Sequence, residues 1–280
     1  MTGLVLEGGT FRPIFSCGIM DALLDNNVHF PYVIGVSAGI ADGVSYVSKQ
    51  KRRNIDILLK FRNHKRYLNW RNLFIDKSLF GISFIYEEIP KKHFPFDFDT
   101  YYASDTIVKI GVTNAITGKI EYLDGKKTDK KFNMLVATCA LPLVFPEIVI
   151  NNTPYYDGGL MDSIPAKKAM DDGNKKLLII LTQPKGYKKE LGTGNKIAAK
   201  LLKRKYPNLV KPLLERHIMY NKQIEYCEKL EKEGKAVILR PSKEAAINSF
   251  EKDTEKLERI YNYGYSLAQE NMDKIKKLFT

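Results

Sequence analysis

Twice within its first forty residues this chain runs a short apolar segment through a glycine turn and straight into a helix. Thr2-Gly-Leu-Val-Leu-Glu7 leads into Gly8-Gly9, and Tyr32-Val-Ile-Gly-Val36 leads into Ser37-Ala38-Gly39. Apolar runs of this length, bounded by glycine, fit strands buried on both faces. Strands that alternate with helices imply a mostly parallel sheet covered on both sides. The expected fold is therefore α/β, a three-layer sandwich with a mostly parallel central sheet and a helical C-terminal extension.

The rest of the chain extends this pattern. Ile14–Leu24 reads as a helix opened by Pro13, and a helix of small residues starts at Ala38. Residues 51–92 read as helical, basic and in places aromatic. Thr106–Asn114 and Lys119–Leu123 flank Ala-Ile-Thr-Gly, and Glu147–Ile150 and Pro154–Tyr156 flank Asn151-Asn152, so two hairpins are expected. Phe132–Ala140 reads as a helix stopping at Leu141-Pro142, and Leu177–Leu181 and Ala236–Leu239 as further strands. Residues 183–195 carry Pro184, Gly186, Gly192 and Gly194 with three lysines and read as a loop or lid. Beyond them the chain is mostly helical. This divides it into a core over 1–182 and a part over 183–280 that packs on the same domain.

Composition narrows the setting. At 280 residues and 44% hydrophobic, the chain has enough apolar material for one large core. Its apolar runs are too short to span a bilayer. No basic leader precedes the first strand, and Cys17, Cys139 and Cys227 fit neither a zinc nor a disulfide framework, so a cytoplasmic protein is expected. The net charge of +13 favours acidic partners: nucleic acid, anionic lipid or acidic substrates. Lys49-Gln-Lys-Arg-Arg53 and Lys203-Arg-Lys205 are basic runs, yet no nucleic-acid module accompanies them, and no nucleic-acid partner is expected. Lys49, Lys51, Arg52, Arg53 and Lys60, followed by Phe61, Tyr67, Trp70 and Phe74, form a candidate patch for peripheral contact with an anionic membrane.

Gly35-Val36-Ser37-Ala38-Gly39 has the form G-x-S-x-G. Alone it arises by chance in about one chain in ten of this length. Here it joins a strand to a helix, which is where a nucleophile elbow places its serine. Gly35 and Gly39 let strand and helix approach closely. The loop Glu7-Gly8-Gly9-Thr10-Phe11-Arg12 sits at another strand end. Its glycines expose backbone N–H groups of the kind that hold a tetrahedral oxyanion, and Arg12 adds a planar cationic donor. Pro13 has no N–H, so the donors lie at Gly9 and Thr10. The G-x-G-x-x-G and P-loop patterns are absent, so this is no nucleotide loop.

A serine nucleophile needs a base. His29, His64 and His93 lack a catalytic context. His217 follows an acid in the chain order of an α/β-hydrolase, but it lies in the helical stretch Leu213–Met219. Asp157-Gly158-Gly159, at the end of an aromatic strand, is the better candidate.

Together these motifs resemble the patatin-like phospholipase family, particularly a bacterial cytoplasmic branch. The likeness rests on Gly8-Gly9-Thr10-Phe11-Arg12, Gly35–Gly39 and Asp157-Gly158-Gly159. It extends to Ala137-Thr-Cys-Ala-Leu-Pro142 with Phe145-Pro146, and to Ser78–Phe80 through Phe94–Asp97. It implies a patatin-like core, a Ser37–Asp157 dyad, an oxyanion hole from Gly8, Gly9, Thr10 and Arg12, and no metal or cofactor. It also implies a lipid or other acyl-ester substrate. The sequence departs from the family pattern at Thr10, where a third glycine is usual, and at Pro13. The expected activity is ester hydrolysis; the competing expectation is a non-catalytic regulator that keeps the fold and binds lipid or protein.

Overall fold

The computed structural model describes residues 1–280. Eight strands form one sheet: β1 (Thr2–Leu6), β2 (Tyr32–Val36), β3 (Ile107–Asn114), β4 (Ile120–Asp124), β5 (Ile148–Ile150), β6 (Thr153–Asp157), β7 (Lys176–Ile180) and β8 (Ala236–Leu239). Their order is β5-β6-β3-β2-β1-β7-β8, with β4 also paired to β3. From β3 to β8 the neighbours are parallel; β4, β5 and β6 pair antiparallel. The expected sandwich with a mostly parallel sheet is thus found, and both expected hairpins are present as β3–β4 and β5–β6.

The buried strands alternate between two cores. Leu4, Leu6, Val33, Leu178 and Ile180 face a large apolar cluster. It is covered by α1 (Ile14–Asp25), α2 (Ser37–Val47) and α3 (Arg53–Phe61). Beyond these lie α4 (Asn72–Ile75), a π-helical segment Phe84–His93, α5 (Phe98–Ala103) and α6 (Asn133–Thr138). Val5, Tyr32, Ile34, Leu177 and Ile179 point the other way, against α7 (Ala166–Asp171) and α9 (Val210–Lys232), which follows α8 (Thr193–Leu202). Residues 51–92 are less regular than expected. Only α3 is a sustained α-helix there, because Pro90 interrupts one segment and Lys77 takes a left-handed φ of 53°.

The third layer is completed from the far end of the chain. α10 (Thr254–Glu270) crosses α1 at two glycines. A Cβ on Gly18 would strike the Tyr261 carbonyl, and one on Gly264 would strike that of Phe15. Tyr261 also donates its hydroxyl to the buried carboxylate of Asp21, at 2.6 Å.

Gly18→Ala and Gly264→Ala should each destabilise the protein by about 1–3 kcal/mol through overpacking, lowering Tm by several degrees. Gly192→Ala, with open space around its Cβ, is the control. Thermal melts that do not separate the three variants would show that α1 and α10 can move apart at little cost.

Candidate active site

β2 ends at Val36, and the chain turns at Ser37 with φ 54°, then enters α2. A non-glycine residue in that region stores strain that its surroundings must hold. The hold is a short relay. The Ser37 N–H donates to Thr138 Oγ1 at 2.8 Å, and Thr138 Oγ1 donates to the Gly111 carbonyl at 2.6 Å. Gly35 and Gly39 occupy the tight positions expected of them: a Cβ on Gly35 would lie 2.9 Å from that of Leu6, and one on Gly39 would collide with the Glu7 carbonyl.

β3 brings Asp157 to the same place. β4 occupies one edge of β3 at Lys109–Thr113, so β2 and β6 share the other edge end to end. Val36 pairs with Gly111 and Asp157 with Val112, adjacent positions on that edge. Asp157 is buried. Its N–H donates to the Ala140 carbonyl at 2.9 Å, and its Oδ1 accepts from the Gly159 N–H at 2.7 Å. Burial pushes its carboxyl above the ordinary range. The Arg216 guanidinium, the Ser37 hydroxyl and the Gly159 N–H pull it part of the way back.

The glycine loop packs directly on the serine: a Cβ on Gly8 would lie 2.8 Å from Ser37 Cβ. The N–H groups of Gly8, Gly9 and Thr10 bond to no other backbone group. Thr10 itself takes φ 58°, so the residue that replaces the usual glycine keeps a glycine-like backbone. Arg12 folds back over Gly9, where its Nε and Nη2 fill the space a Cβ would need. Its Nη1 donates to Ser249 Oγ at 3.1 Å, while its buried Nε has no acceptor. Glu7 is held by the Thr182 N–H at 2.6 Å and the Tyr220 hydroxyl at 2.9 Å.

Two cavities open on Ser37. One, of about 140 Å³, is mostly apolar and runs past Ile57, Leu58, Phe80, Ile89 and Phe132. The other, of about 150 Å³, is polar; Asp157, Arg12, Lys189 and Arg216 line it. No histidine lines either one. The sequence reading weighed His217, yet its neighbour Arg216 is the α9 residue that faces Asp157, donating Nε to the Gly159 carbonyl at 2.6 Å. Sequence reasoning also missed Gly111, Thr138, Lys189 and Ser249. Thr138 lies inside the Ala137–Pro142 motif and Lys189 inside the lysine-bearing loop at 183–195, while Gly111 and Ser249 carried no local signal.

The expected basic and aromatic patch breaks up. Phe61 and Tyr67 are buried in the large core. Arg53 donates to the Phe94 carbonyl, Lys51 pairs with Asp25, and Arg52 pairs with Asp56. The apolar side chains exposed here are Trp70, Leu73, Phe74 and Ile75. No helix is long and apolar enough to cross a membrane.

The chain is similar to known families and proteins. The model of the patatin-like phospholipase family matches residues 4–170, and that of a domain of unknown function (DUF6363) matches residues 206–280. The uncharacterized protein YjjU of Escherichia coli strain K12 is 22% identical over 195 residues, 65% of this chain and 52% of its own length. The chain therefore spans about half of that relative. The crystal structure of VipD from Legionella pneumophila superposes with a TM-score of 0.50 at 13% identity, covering 98% of this chain and 67% of VipD. That likeness is one of fold.

Thr138→Val should strand both the Ser37 N–H and the Gly111 carbonyl, at about 1–3 kcal/mol for each buried group left unpaired. Thr138→Ser keeps the hydroxyl. Tm should fall in the valine variant and stay near wild type in the serine variant. Equal melting of the two would remove the relay from the account of the elbow.

Proposed function

This chain belongs to the patatin-like phospholipase family, and from that membership we propose that it is a serine lipid acyl hydrolase. It would act as a phospholipase, lysophospholipase or related carboxylic ester hydrolase. The observation that carries the reading is the shared edge of β3, which sets a left-handed Ser37 beside a buried Asp157. In this scheme Ser37 Oγ attacks the ester carbonyl while Asp157 takes its proton. Charge builds on the carbonyl oxygen against the unbonded N–H groups of the Gly8–Thr10 loop, with Arg12 alongside. Collapse releases the alcohol, which leaves with the proton from Asp157. Water then attacks the acyl-enzyme, again giving its proton to Asp157, and collapse frees the acid as Ser37 Oγ takes that proton back. The apolar cavity would take the acyl chain.

A fluorophosphonate probe should label the wild type and not Ser37→Ala, and both Ser37→Ala and Asp157→Ala should abolish hydrolysis of a short p-nitrophenyl ester. Asp157 must be ionised to act as base, and burial raises its pKa, so the rate should rise with pH through a limb lying above 3.8 and then level off. Hydrolysis that survives in Asp157→Ala, or a limb at or below 3.8, would sink the dyad.

We propose further that the protein works in the cytoplasm, in peripheral contact with the inner face of the membrane. Residues 68–80 leave the core at a Leu68–Phe80 bridge and carry the exposed apolar tip. Tyr67 and Phe80, at its two feet, line the apolar cavity. Phe74 and Ile75 are 81% and 76% exposed, and Lys65, Arg71 and Lys77 flank the tip. An exposed apolar tip with three cations and Asp76 near it in the chain fits an anionic lipid surface, where each cation adds about 1 kcal/mol. Co-sedimentation with anionic vesicles should exceed that with neutral ones, weaken in high salt, and fall in a Phe74→Ser, Ile75→Ser double variant. Binding that ignores both salt and the double substitution would point away from this tip.

A further inference from the structure

The polar cavity holds more positive charge than ester cleavage uses. Arg12, Lys189 and Arg216 all line it, and none of them forms an ion pair. Two carboxylates share the space, and both are engaged: Glu7 with Thr182 and Tyr220, and Asp157 with the Gly159 N–H and, through its field, Arg216, so the three cations still exceed the two anions. The cations keep donors in reserve. Arg216 gives Nε to the Gly159 carbonyl, which leaves its terminal nitrogens. Arg12 has a buried Nε with no acceptor. Lys189 Nζ sits 4.6 Å from the centre of the Tyr220 ring.

These charges are held together against their repulsion. Burial first, then Arg216 and Arg12, bring Lys189 down to about 8. The loop that carries Lys189 is fixed by a reciprocal pair of bonds: its N–H donates to Asn221 Oδ1 at 2.9 Å, and Asn221 Nδ2 donates to its carbonyl at 3.0 Å. A half-buried cluster of like charges relaxes when an anion enters.

We propose that Arg12, Lys189 and Arg216 form a subsite for a phosphate group attached to the acyl ester. The acyl chain lies in the apolar cavity, the ester carbonyl at Ser37, and the phosphate in the polar cavity. Three cations approaching from three segments suit a tetrahedral, multiply charged anion, whereas a planar carboxylate is satisfied by one arginine fork. Lys189 and Arg216 both lie outside residues 4–170, and Arg216 lies inside residues 206–280. The C-terminal region thereby selects the head group. This inference deepens the hydrolase reading and rests on it for the identity of the ligand.

Two measurements separate the subsite from the hydrolysis. In the Ser37→Ala protein, inorganic phosphate should raise Tm beyond what chloride does at matched ionic strength, and adding Lys189→Met should remove that difference. In the active enzyme, kcat/KM for a lysophosphatidate should exceed that for the monoacylglycerol with the same chain. Lys189→Met should cut this ratio about tenfold, the scale of one charge-assisted contact. Arg216→Lys, which keeps the charge and loses the fork, should cut it less than Arg216→Met. Phosphate stabilisation that survives Lys189→Met, or a ratio that does not move, overturns the subsite even where ester hydrolysis is intact. Tight inorganic phosphate binding without preference for the lysophosphatidate assigns the site to free phosphate and overturns the head-group role. Phosphate binding by a protein that hydrolyses neither ester leaves the cation site standing and removes the hydrolase reading.

Discussion

One hydrogen-bonding edge, that of β3 at Gly111 and Val112, carries the whole neighbourhood of Ser37. β2 uses the edge up to Gly111 and stops; β6 takes it over at Val112, running the opposite way. A strand that ends in mid-sheet normally leaves unpaired groups. Here the ending is where the serine is raised, and the incoming strand delivers a carboxylate to the same point. Gly111 has to be small, since a Cβ would press on Val36 Cγ1 at 2.7 Å, and its carbonyl anchors Thr138. Gly158 has the complementary need, since a Cβ there would meet the Gly111 carbonyl.

The C-terminal region is tied to the glycine loop and its surroundings at several independent points. The Phe11 N–H donates to the Ser249 carbonyl at 3.1 Å, and Arg62 donates to the carbonyls of Phe250 and Glu251. Tyr220 fixes Glu7 at the root of the glycine loop, and α10 lies against α1 glycine to backbone. These contacts are polar and geometrically demanding, and they converge on the loop between β1 and α1. Residues 206–280 therefore help shape the loop that faces Ser37, in addition to covering the core.

How much of this the sequence revealed follows from the range of each interaction. The elbow was legible because its parts are contiguous: strand, Gly35, Ser37, Gly39 and helix obey local steric rules. Asp157 was legible because a D-G-G turn at a strand end is also local. The register that joins them was not, since nothing near Ser37 in the chain refers to residue 111. Arg216 escaped for a different reason. On a 23-residue helix the face that turns inward is set by tertiary packing, and a one-residue step separates it from His217, the more familiar catalytic type. The 51–75 stretch failed in the other direction. Basic and aromatic residues alternate there, and pattern alone could not tell Phe61 and Tyr67, which enter the core, from Trp70 and Phe74, which leave it.

The meeting of an apolar and a polar cavity at one serine would also impose an order in time on the proposed reaction. In the proposed hydrolysis an acyl chain held on Ser37 would fill the apolar side, leaving the polar side as the way in for water. That is also the side the departing alcohol would occupy. Deacylation would then wait on the vacating of that space, and a tightly held leaving group would lengthen the life of the proposed acyl-enzyme. Another small alcohol able to enter the vacated chamber would compete with water there, so under the proposed reading access to this one chamber would set the balance between releasing an acyl chain and passing it on.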